Sequence, residues 1–464
     1  MGIVHAKESE KFAIPKRELN YNSCDGGETK EIQLEGVQAR VDRIHVSGLA
    51  RTKDDIVEDA VKDLFTASDF QDVLLKAHKV RTKLDSLGCF RNIAVYIDTS
   101  KGPHATPNGL EVTFHVKELR RIVGGVNTQV GENEGSLVVG LRAPNLLGRG
   151  ERLQTEYSYG SKRSNNFNVS FIKPFRGKHN PMFSASVYQS TSEWPVSGYK
   201  ELDKGLLLDF GFNSFSAVRH NFQWDAAIRD LSVLSRSSSF DVREGAGVHL
   251  KSSLKHILSI DLRDDVIFPT CGSLLQITSE FAGAGGNVGF VKNDAFIQTN
   301  FSLMDDIVLQ ASASGGILNS LGNDYLVCLS DVYYLGGPLS LRGFQTRGVG
   351  PHSEGNSIGS SWFWSTGLHL YTPLPFRPGR GGFGELFRTH LFVNAGNINP
   401  FKIGDERSSF EQITDNIRIA YGIGIAIRLG QMARIEVNYC FPHAYDPQDS
   451  PQPGVQFGIG VQFL

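Results

Sequence analysis

The chain has 464 residues, a formal net charge of −2 and 40% apolar residues, with no run of 18 apolar residues. The near-neutral charge, without a basic or acidic block, argues against nucleic acid as a partner, and the missing apolar run excludes a transmembrane helix. A membrane β-barrel remains open, because its strands carry apolar residues only at alternate positions. The 50 glycines and 30 phenylalanines favour a barrel.

Cysteine and histidine usage gives no sign of a catalytic or metal site. The five cysteines are widely separated without a CxxC pair, and the thirteen histidines form no HxxxH pair. These spacings indicate neither zinc nor a disulfide framework. The sequence therefore predicts no metal, no cofactor and no enzymatic activity.

The N-terminal residues 1–38 are polar and lack periodicity, which predicts a flexible tail. Residues 1–8 also lack the apolar core of a secretory signal. A barrel without that signal is expected in an organelle outer membrane that is reached from the cytosol.

Residues 39–119 carry the pattern of a small α+β domain. A strand, two helices and two strands are predicted near residues 41–46, 56–64, 70–87, 93–97 and 112–116. Thr52–Asp55 fits a capping box at the start of the first helix, and Gly88 is a stop for the second. This order predicts a sheet backed by two helices, whose edge strand is able to accept an added peptide strand. A mere spacer domain is the alternative.

After Arg121 the sequence is a series of short alternating strands. Apolar residues occupy every second position at 167–171, 183–187, 206–212, 297–303 (with Thr299 among them), 307–313, 423–429 and 435–439. Residues 121–464 allow about sixteen strands of ~10 residues with their connections. We therefore predict an all-β transmembrane barrel of about sixteen antiparallel strands at 120–464. A soluble all-β protein is the alternative, although so many strands would leave edges to protect.

The last ten residues show this alternation along their full length. Val455, Phe457, Ile459, Val461 and Phe463 would share one face, and Gln456, Gly458, Gly460 and Gln462 the other. About ten residues is also the length of a tilted strand that crosses a bilayer. The pattern predicts a closing barrel strand from Val455 to Leu464.

A segment rich in glycine and proline, Tyr334–Phe344, carries one arginine among apolar neighbours. In a wide barrel this segment is able to fold into the lumen, where Arg342 would supply five donors and a permanent charge. Gly343 would allow a close approach to the wall, and Phe344 would add an apolar anchor. From the residues alone, an exposed loop with a solvated arginine remains the alternative.

Two motifs resemble a known family. Leu341–Phe344 matches the aliphatic-Arg-Gly-aromatic loop motif of the outer-membrane barrel assembly superfamily, to which bacterial BamA belongs. Phe392–Gly396 resembles that superfamily's Phe-x-Asp-x-Gly strand motif, with Asn394 in place of the acid. Residues 39–119 resemble a single POTRA domain, and Leu368–Gly396 resembles the mitochondrial branch, the central barrel subunit of the sorting and assembly machinery. Because Asn394 is neutral, docking of the loop is expected to need another acid, which the resemblance does not identify.

The resemblance implies that the chain folds and inserts β-barrel precursors into the mitochondrial outer membrane through a lateral gate between its first and last barrel strands. The POTRA domain would face the intermembrane space. The first gate strand would contain Ile122, Gly124, Gly125, Val126, Thr128 and Val130. The last would contain Gln456, Gly458, Ile459, Val461 and Phe463, which also match the family's client signal, polar-x-Gly-apolar-x-apolar-x-apolar. Glycines weaken strand packing, and each unpaired backbone group in hydrocarbon costs several kcal/mol, so pairing with an incoming strand is favoured.

The partners that the resemblance implies are β-barrel precursors, metaxin-like accessory subunits, membrane lipids and inner-membrane contact-site proteins. The last of these would add a role as a scaffold for membrane contact sites. A passive pore or polypeptide-translocating barrel is the rival interpretation, and the single POTRA-like domain does not decide between them.

Overall fold

The computed structural model describes residues 3–5, 37–101, 103, 105–131, 134–175, 177, 179–304, 306–322, 324–374, 383–400, 414–430 and 433–464. It contains two compact units, Met1–Val123 with Arg142–Leu153, and Gly124–Leu141 with Gln154–Leu464. Within the described ranges, no helix has the length and apolarity needed to cross a membrane.

The first unit contains a four-stranded sheet and two helices. Its elements are β1 (Ile3–His5), β2 (Arg40–Ser47), α1 (Asp54–Val61), α2 (Phe70–Ser86), β3 (Phe90–Thr99) and β4 (Gly109–Glu118). The strand order is β1-β2-β4-β3, with β2 parallel to β4 and β3 antiparallel to it. The predicted order of strands and helices between 39 and 119 is confirmed. The short strand β1 lies within the predicted tail and pairs in parallel with β2. Residues 1–2 and 6–36 of that tail lie outside the described residues.

Helix α2 packs one apolar stripe against this sheet. Val73, Ala77, Val80 and Leu84 are all buried, at the spacing of a single helix face. The helix stops before Gly88, whose φ of +63° is the left-handed conformation that glycine adopts at helix ends. The predicted stop is confirmed.

The predicted capping box at Thr52–Asp55 is wrong, because α1 begins after Lys53 and no side chain caps it. Thr52 instead donates its hydroxyl and its backbone N–H to Oε1 of Glu118, at 2.7 and 2.9 Å. The amides of Ala50 and Arg51 donate to the same carboxylate. Burial alone would raise the pKa of Glu118, but these hydrogen bonds outweigh burial and lower it to about 2. The Glu118 anion therefore organises the connection between β2 and α1.

The second unit is built on a sixteen-stranded sheet, which confirms the predicted strand number. Its strands are β5 (Val123–Gly131), β6 (Glu134–Pro144), β7 (Arg152–Gly160), β8 (Asn165–Pro174), β9 (Met182–Trp194), β10 (Tyr199–Phe215), β11 (Val218–Val233), β12 (Gly247–Asp261), β13 (Gly272–Gly286), β14 (Phe290–Met304), β15 (Ile307–Ser320), β18 (Trp362–Thr372), β19 (Phe387–Asn399), β20 (Arg418–Leu429), β21 (Ala433–Ala444) and β22 (Gly454–Gly460). A two-residue hairpin of β16 (His352–Ser353) and β17 (Asn356–Ser357) lies between β15 and β18. The strands follow chain order, with β5 and β22 at the two ends. Apart from short 3₁₀ turns, the described helix here is α3 (Phe240–Glu244).

The wall strands alternate between an apolar exposed face and a buried polar face. On β19, Leu391 and Val393 are 54% and 51% exposed, whereas Phe392 and Asn394 are buried. Ile423 and Ile425 on β20 repeat the exposed pattern. An outward apolar face with polar groups inside is the arrangement of a membrane barrel rather than of a water-soluble sandwich.

Candidate functional site

The strands at the two ends of the sheet are the predicted gate strands. Gly124, Gly125, Val126 and Thr128 lie on β5, and Ile122 directly precedes it. Val130 also lies on β5, although its side chain is outside the described residues. Each described residue from Ile122 to Gln129 is exposed. Both faces of strand β5 are therefore accessible.

The closing strand is shorter than predicted. Strand β22 ends at Gly460, so Val461 and Phe463 are not strand residues. Within β22 the alternation holds, with Val455 and Phe457 exposed and Gln456 buried. Phe463, predicted to share their outward face, is only 1% exposed. The extended prediction fails because strand pairing ends at Gly460 and the side chains of Phe463 and Leu464 are buried. The N–H of Leu464 donates to the Leu339 carbonyl at 3.0 Å.

The connection between β15 and β18, residues 321–361 and here called the inserted loop, carries the arginine motif. Leu341, Arg342 and Phe344 are each fully buried, so the exposed-loop alternative is wrong. Gly343 has a φ of +86°, and a Cβ there would lie 2.9 Å from the Cβ of Ala420 on β20. Glycine is therefore needed at this position both for the backbone conformation and for the close approach to the wall.

The acid that pairs with Arg342 is Glu436 on β21. Arg342 Nη2 and Nε lie 2.8 and 3.1 Å from Oε2 of Glu436, and both side chains are fully buried. Arg434 Nε lies 3.1 Å from the other oxygen of the same carboxylate. Two guanidinium groups thus share one buried acid. Glu436 supplies the negative charge that the neutral residue Asn394 does not.

Polar residues of the wall surround this ion pair. Asn438 donates to Oε2 of Glu436 at 3.0 Å, and its own oxygen lies 2.8 Å from Nε2 of His390. His369 stands between His390 and Arg342, with ring nitrogens 3.4 and 3.5 Å from them. Among the described residues these hydrogen bonds fall on Oε2 of Glu436, whereas Oε1 faces Arg434 as an ion pair without a hydrogen bond.

The predicted wall motif lies on β19 beside the same arginine. The Arg342 guanidinium is 5.3 Å from the ring centre of Phe392, within the range of a cation–π contact. Asn394 is fully buried, and with its amide oxygen turned to Arg342 it accepts from Nη1 at 3.3 Å. At Gly396 a Cβ would lie 3.3 Å from Leu335 of the inserted loop. All three residues therefore contact the loop or leave space for it.

Gln456 connects the last strand to the inserted loop. Its oxygen accepts from the N–H of Gly343 at 3.1 Å, and its Nε2 donates to the Phe344 carbonyl at 2.8 Å. With these two bonds the side chain of Gln456 pairs with the loop backbone in the way that a neighbouring strand would. The predicted gate strand and the predicted loop motif thus form one site.

A second charged cluster anchors the inserted loop to different strands, and the sequence reasoning missed it. Asp331 of the loop accepts from Arg229 Nη1 on β11 at 2.7 Å and from Lys251 Nζ on β12 at 2.9 Å. Its carbonyl accepts from Lys292 Nζ on β14 at 2.8 Å. Glu280 on β13 balances Lys251 at 2.8 Å. The loop is therefore held by charge at two separate parts of the wall.

These missed residues carry a faint signal in the sequence. Glu436 stands between Ile435 and Val437, two positions of a strand whose apolar residues face outward, so it occupies an inward position. Charged inward residues of a membrane strand need a partner. Nothing in the local pattern around Asp331 marks it apart from other loop acids. Among the described residues, no cluster of His, Cys, Asp or Glu has the arrangement of a metal site.

Comparisons with known proteins agree with this architecture. A family model described as the Omp85 superfamily domain matches residues 145–463. The chain is 44% identical, over 100% of both chains, to "Sorting and assembly machinery component 50 homolog B" of Xenopus laevis and to the "Sorting and assembly machinery component 50 homolog" of Homo sapiens. Its fold is similar to that of BamA from Haemophilus ducreyi lacking POTRA domains 1–3, with a TM-score of 0.72, 18% identity, and coverage of 91% of this chain and 84% of that one.

Proposed function

The chain belongs to the Omp85 superfamily, as an outer-membrane β-barrel protein similar over its full length to sorting and assembly machinery component 50 homologues, and on this premise we propose that it folds β-barrel precursors and inserts them into the mitochondrial outer membrane. The full-length similarity is the observation that carries the proposal. The relatives' names denote an assembly machinery, and the fold of this chain, with its sixteen-stranded sheet, is similar to that of BamA.

The insertion route in this proposal is a lateral gate between β5 and β22. Two features support it. The described residues of β5 are exposed on both faces. Strand β22 has only seven residues, so it is able to form few backbone hydrogen bonds with a neighbouring strand. In hydrocarbon an unpaired backbone group costs several kcal/mol. A client strand that pairs with a parted edge by β-augmentation is therefore stabilised as it enters the membrane.

The test of the proposed function is depletion of the chain from cells, followed by measurement of unrelated mitochondrial β-barrels. We expect the amounts of assembled barrels to fall, while outer-membrane proteins anchored by a helix stay constant. A loss of solute flux alone, with normal barrel levels, would favour the passive pore.

The rival passive pore is less well supported because the interior is occupied. Leu341, Arg342 and Phe344 of the inserted loop are fully buried, and Asp331 is held at a second site. A loop fixed by buried charges on both flanks restricts an open water-filled passage. The same loop is a suitable device for controlling the shape of a lumen or of a gate.

The proposal includes three further features of the protein's setting. The POTRA domain faces the intermembrane space, metaxin-like subunits bind as accessory partners, and inner-membrane contact-site proteins use the chain as a scaffold. Protease added to mitochondria with a ruptured outer membrane, but not to intact ones, should cleave the N-terminal unit. Cleavage in intact mitochondria would contradict this orientation.

A further inference from the structure

The last two residues of the chain, Phe463 and Leu464, occupy a pocket in the barrel interior. Phe463 and Leu464 are 1% and 3% exposed, although β22 ends at Gly460. A strand that simply stopped would leave such a tail free. These residues are instead among the best buried of the second unit.

The ring of Phe463 is held between two guanidinium groups. Arg434 of β21 is 4.4 Å from the ring centre, and Arg342 of the inserted loop is 5.4 Å from it. Both distances are within the range of cation–π attraction. Glu436 offsets one of the two positive charges, so these three side chains together keep one positive charge beside the aromatic ring.

Two glycines of β22 make room for this ring. A Cβ on Gly458 would lie 3.0 Å from Phe463 Cε1, and a Cβ on Gly460 would lie 3.5 Å from Cε2. The glycine of the signal pattern is thus placed where it leaves space for the aromatic residue at the end of the same pattern.

The main chain of the tail is also recognised. Leu464 donates its N–H to the Leu339 carbonyl at 3.0 Å and accepts from Arg342 Nη1 at 2.9 Å. Leu339 and Arg342 belong to the inserted loop, and Arg434 belongs to β21. A strand that took the place of β22 would therefore meet the same pocket, without its present occupant.

We propose that this pocket, formed by Leu339, Arg342, Arg434 and Glu436, is a binding site for the terminal aromatic or large apolar residue of the client's signal strand. The inference rests on the proposed function, in which a client strand replaces β22. Phe463 stands at the last apolar position of the signal pattern, yet outside the paired strand. That position is then recognised by side chains in the lumen, and strand pairing recognises only the preceding residues. Phe463 holds the pocket in the resting protein and competes with the client for it.

Photo-crosslinking tests this assignment directly. A benzophenone amino acid is placed at the last apolar position of the signal in a β-barrel precursor, which is arrested during import into isolated mitochondria. We expect crosslinks to residues 338–342 and to β21. A second precursor, with the probe at the signal position equivalent to Phe457, should crosslink to lipid or other outward-facing groups. If the first probe crosslinks only to β5, the proposed pocket is contradicted, whereas the lateral gate is still supported. If neither precursor crosslinks to this chain at all, the proposed function fails as well.

A variant pair provides a second test. Phe463→Ala removes the competitor and should increase the occupancy of the arrested precursor several-fold over the unaltered protein. Phe457→Ala is the control, because Phe457 is 63% exposed and lies outside the pocket. If Phe463 only stabilised the fold, its removal would lower precursor binding instead. Equal occupancy in both variants would also overturn the inference.

Discussion

The guanidinium of Arg342 in the inserted loop lies 2.8 Å from Oε2 of Glu436 on β21, and neither side chain is exposed to solvent. This pair joins the loop motif to the strand next to β22. Glu436 also pairs with Arg434, so two arginines share one carboxylate. Glu436 therefore connects the loop motif to β21 and, through the two arginines, to the ring of Phe463.

Removing this acid should be more harmful than removing Arg342. Glu436→Gln leaves two buried arginines without a carboxylate, and an uncompensated buried charge costs roughly 3–5 kcal/mol. Arg342→Ala leaves Glu436 paired with Arg434, so we expect the barrel to fold while client assembly slows. Denaturant unfolding in detergent and assembly kinetics in mitochondria measure the two effects. Equal stability of both variants would contradict the shared role of Glu436, and unchanged assembly kinetics in Arg342→Ala would contradict the role of the loop.

Gln456 should be important because it pairs with the loop backbone. Gln456→Ala leaves the N–H of Gly343 and the carbonyl of Phe344 without their partner. Each buried unsatisfied group costs about 1–3 kcal/mol. Gln462→Ala is the matched control, because Gln462 is exposed beyond the strand. Thermal unfolding in detergent should show a clear loss for the first variant alone, and similar curves for both would count against the Gln456 contacts.

Asp331→Asn should loosen the inserted loop at its second anchor. The change keeps the side-chain shape but removes the charge that holds Arg229 and Lys251. Limited proteolysis of the loop should become faster, with a stability loss of about 3 kcal/mol or more. Asp324→Asn, an exposed acid of the same loop, should behave like the unaltered protein. Unaltered cleavage in Asp331→Asn would show that the second anchor does not hold the loop.

The N-terminal unit should lose stability in acid through Glu118. Its pKa is lowered to about 2 in the folded state from 4.5. The stabilisation is therefore complete above about pH 4.5 and is lost as the pH falls through about 2. Hydrogen exchange at the amides of Ala50, Arg51 and Thr52, compared with α2 as an internal reference, should report this loss. In Glu118→Gln these amides should have low protection factors relative to α2 at all pH values, and a loss of protection in acid that persists in this variant would assign the effect to another group.

The sequence predicts those parts of the structure that depend on local pattern. Strand alternation indicates the barrel and its strand number, and the Leu341–Phe344 motif identifies the inserted loop through its family. Glu436 was not predicted, because its partner lies 94 residues away and only the fold brings them together. The sequence predicts an outward position for Phe463 because Phe463 continues the alternation of β22. In the structure, burial between two arginines outweighs this local strand pattern. Thr52 was misassigned for the same reason: Glu118, distant in sequence, competes for its hydroxyl.

The central claim is that β5 and β22 part to admit a client strand. A matched control for locking this seam is a disulfide between Val437→Cys and Phe457→Cys, which joins β21 to β22 where the two residues are already register partners. This crosslink leaves the seam free, so client assembly should continue.

The decisive measurement combines Val126→Cys in turn with Val455→Cys, Phe457→Cys and Ile459→Cys, and uses the pair that oxidises spontaneously. With the seam locked, assembly of imported precursors should stop, and it should resume when the disulfide is reduced. Normal assembly with the disulfide intact would contradict the lateral gate.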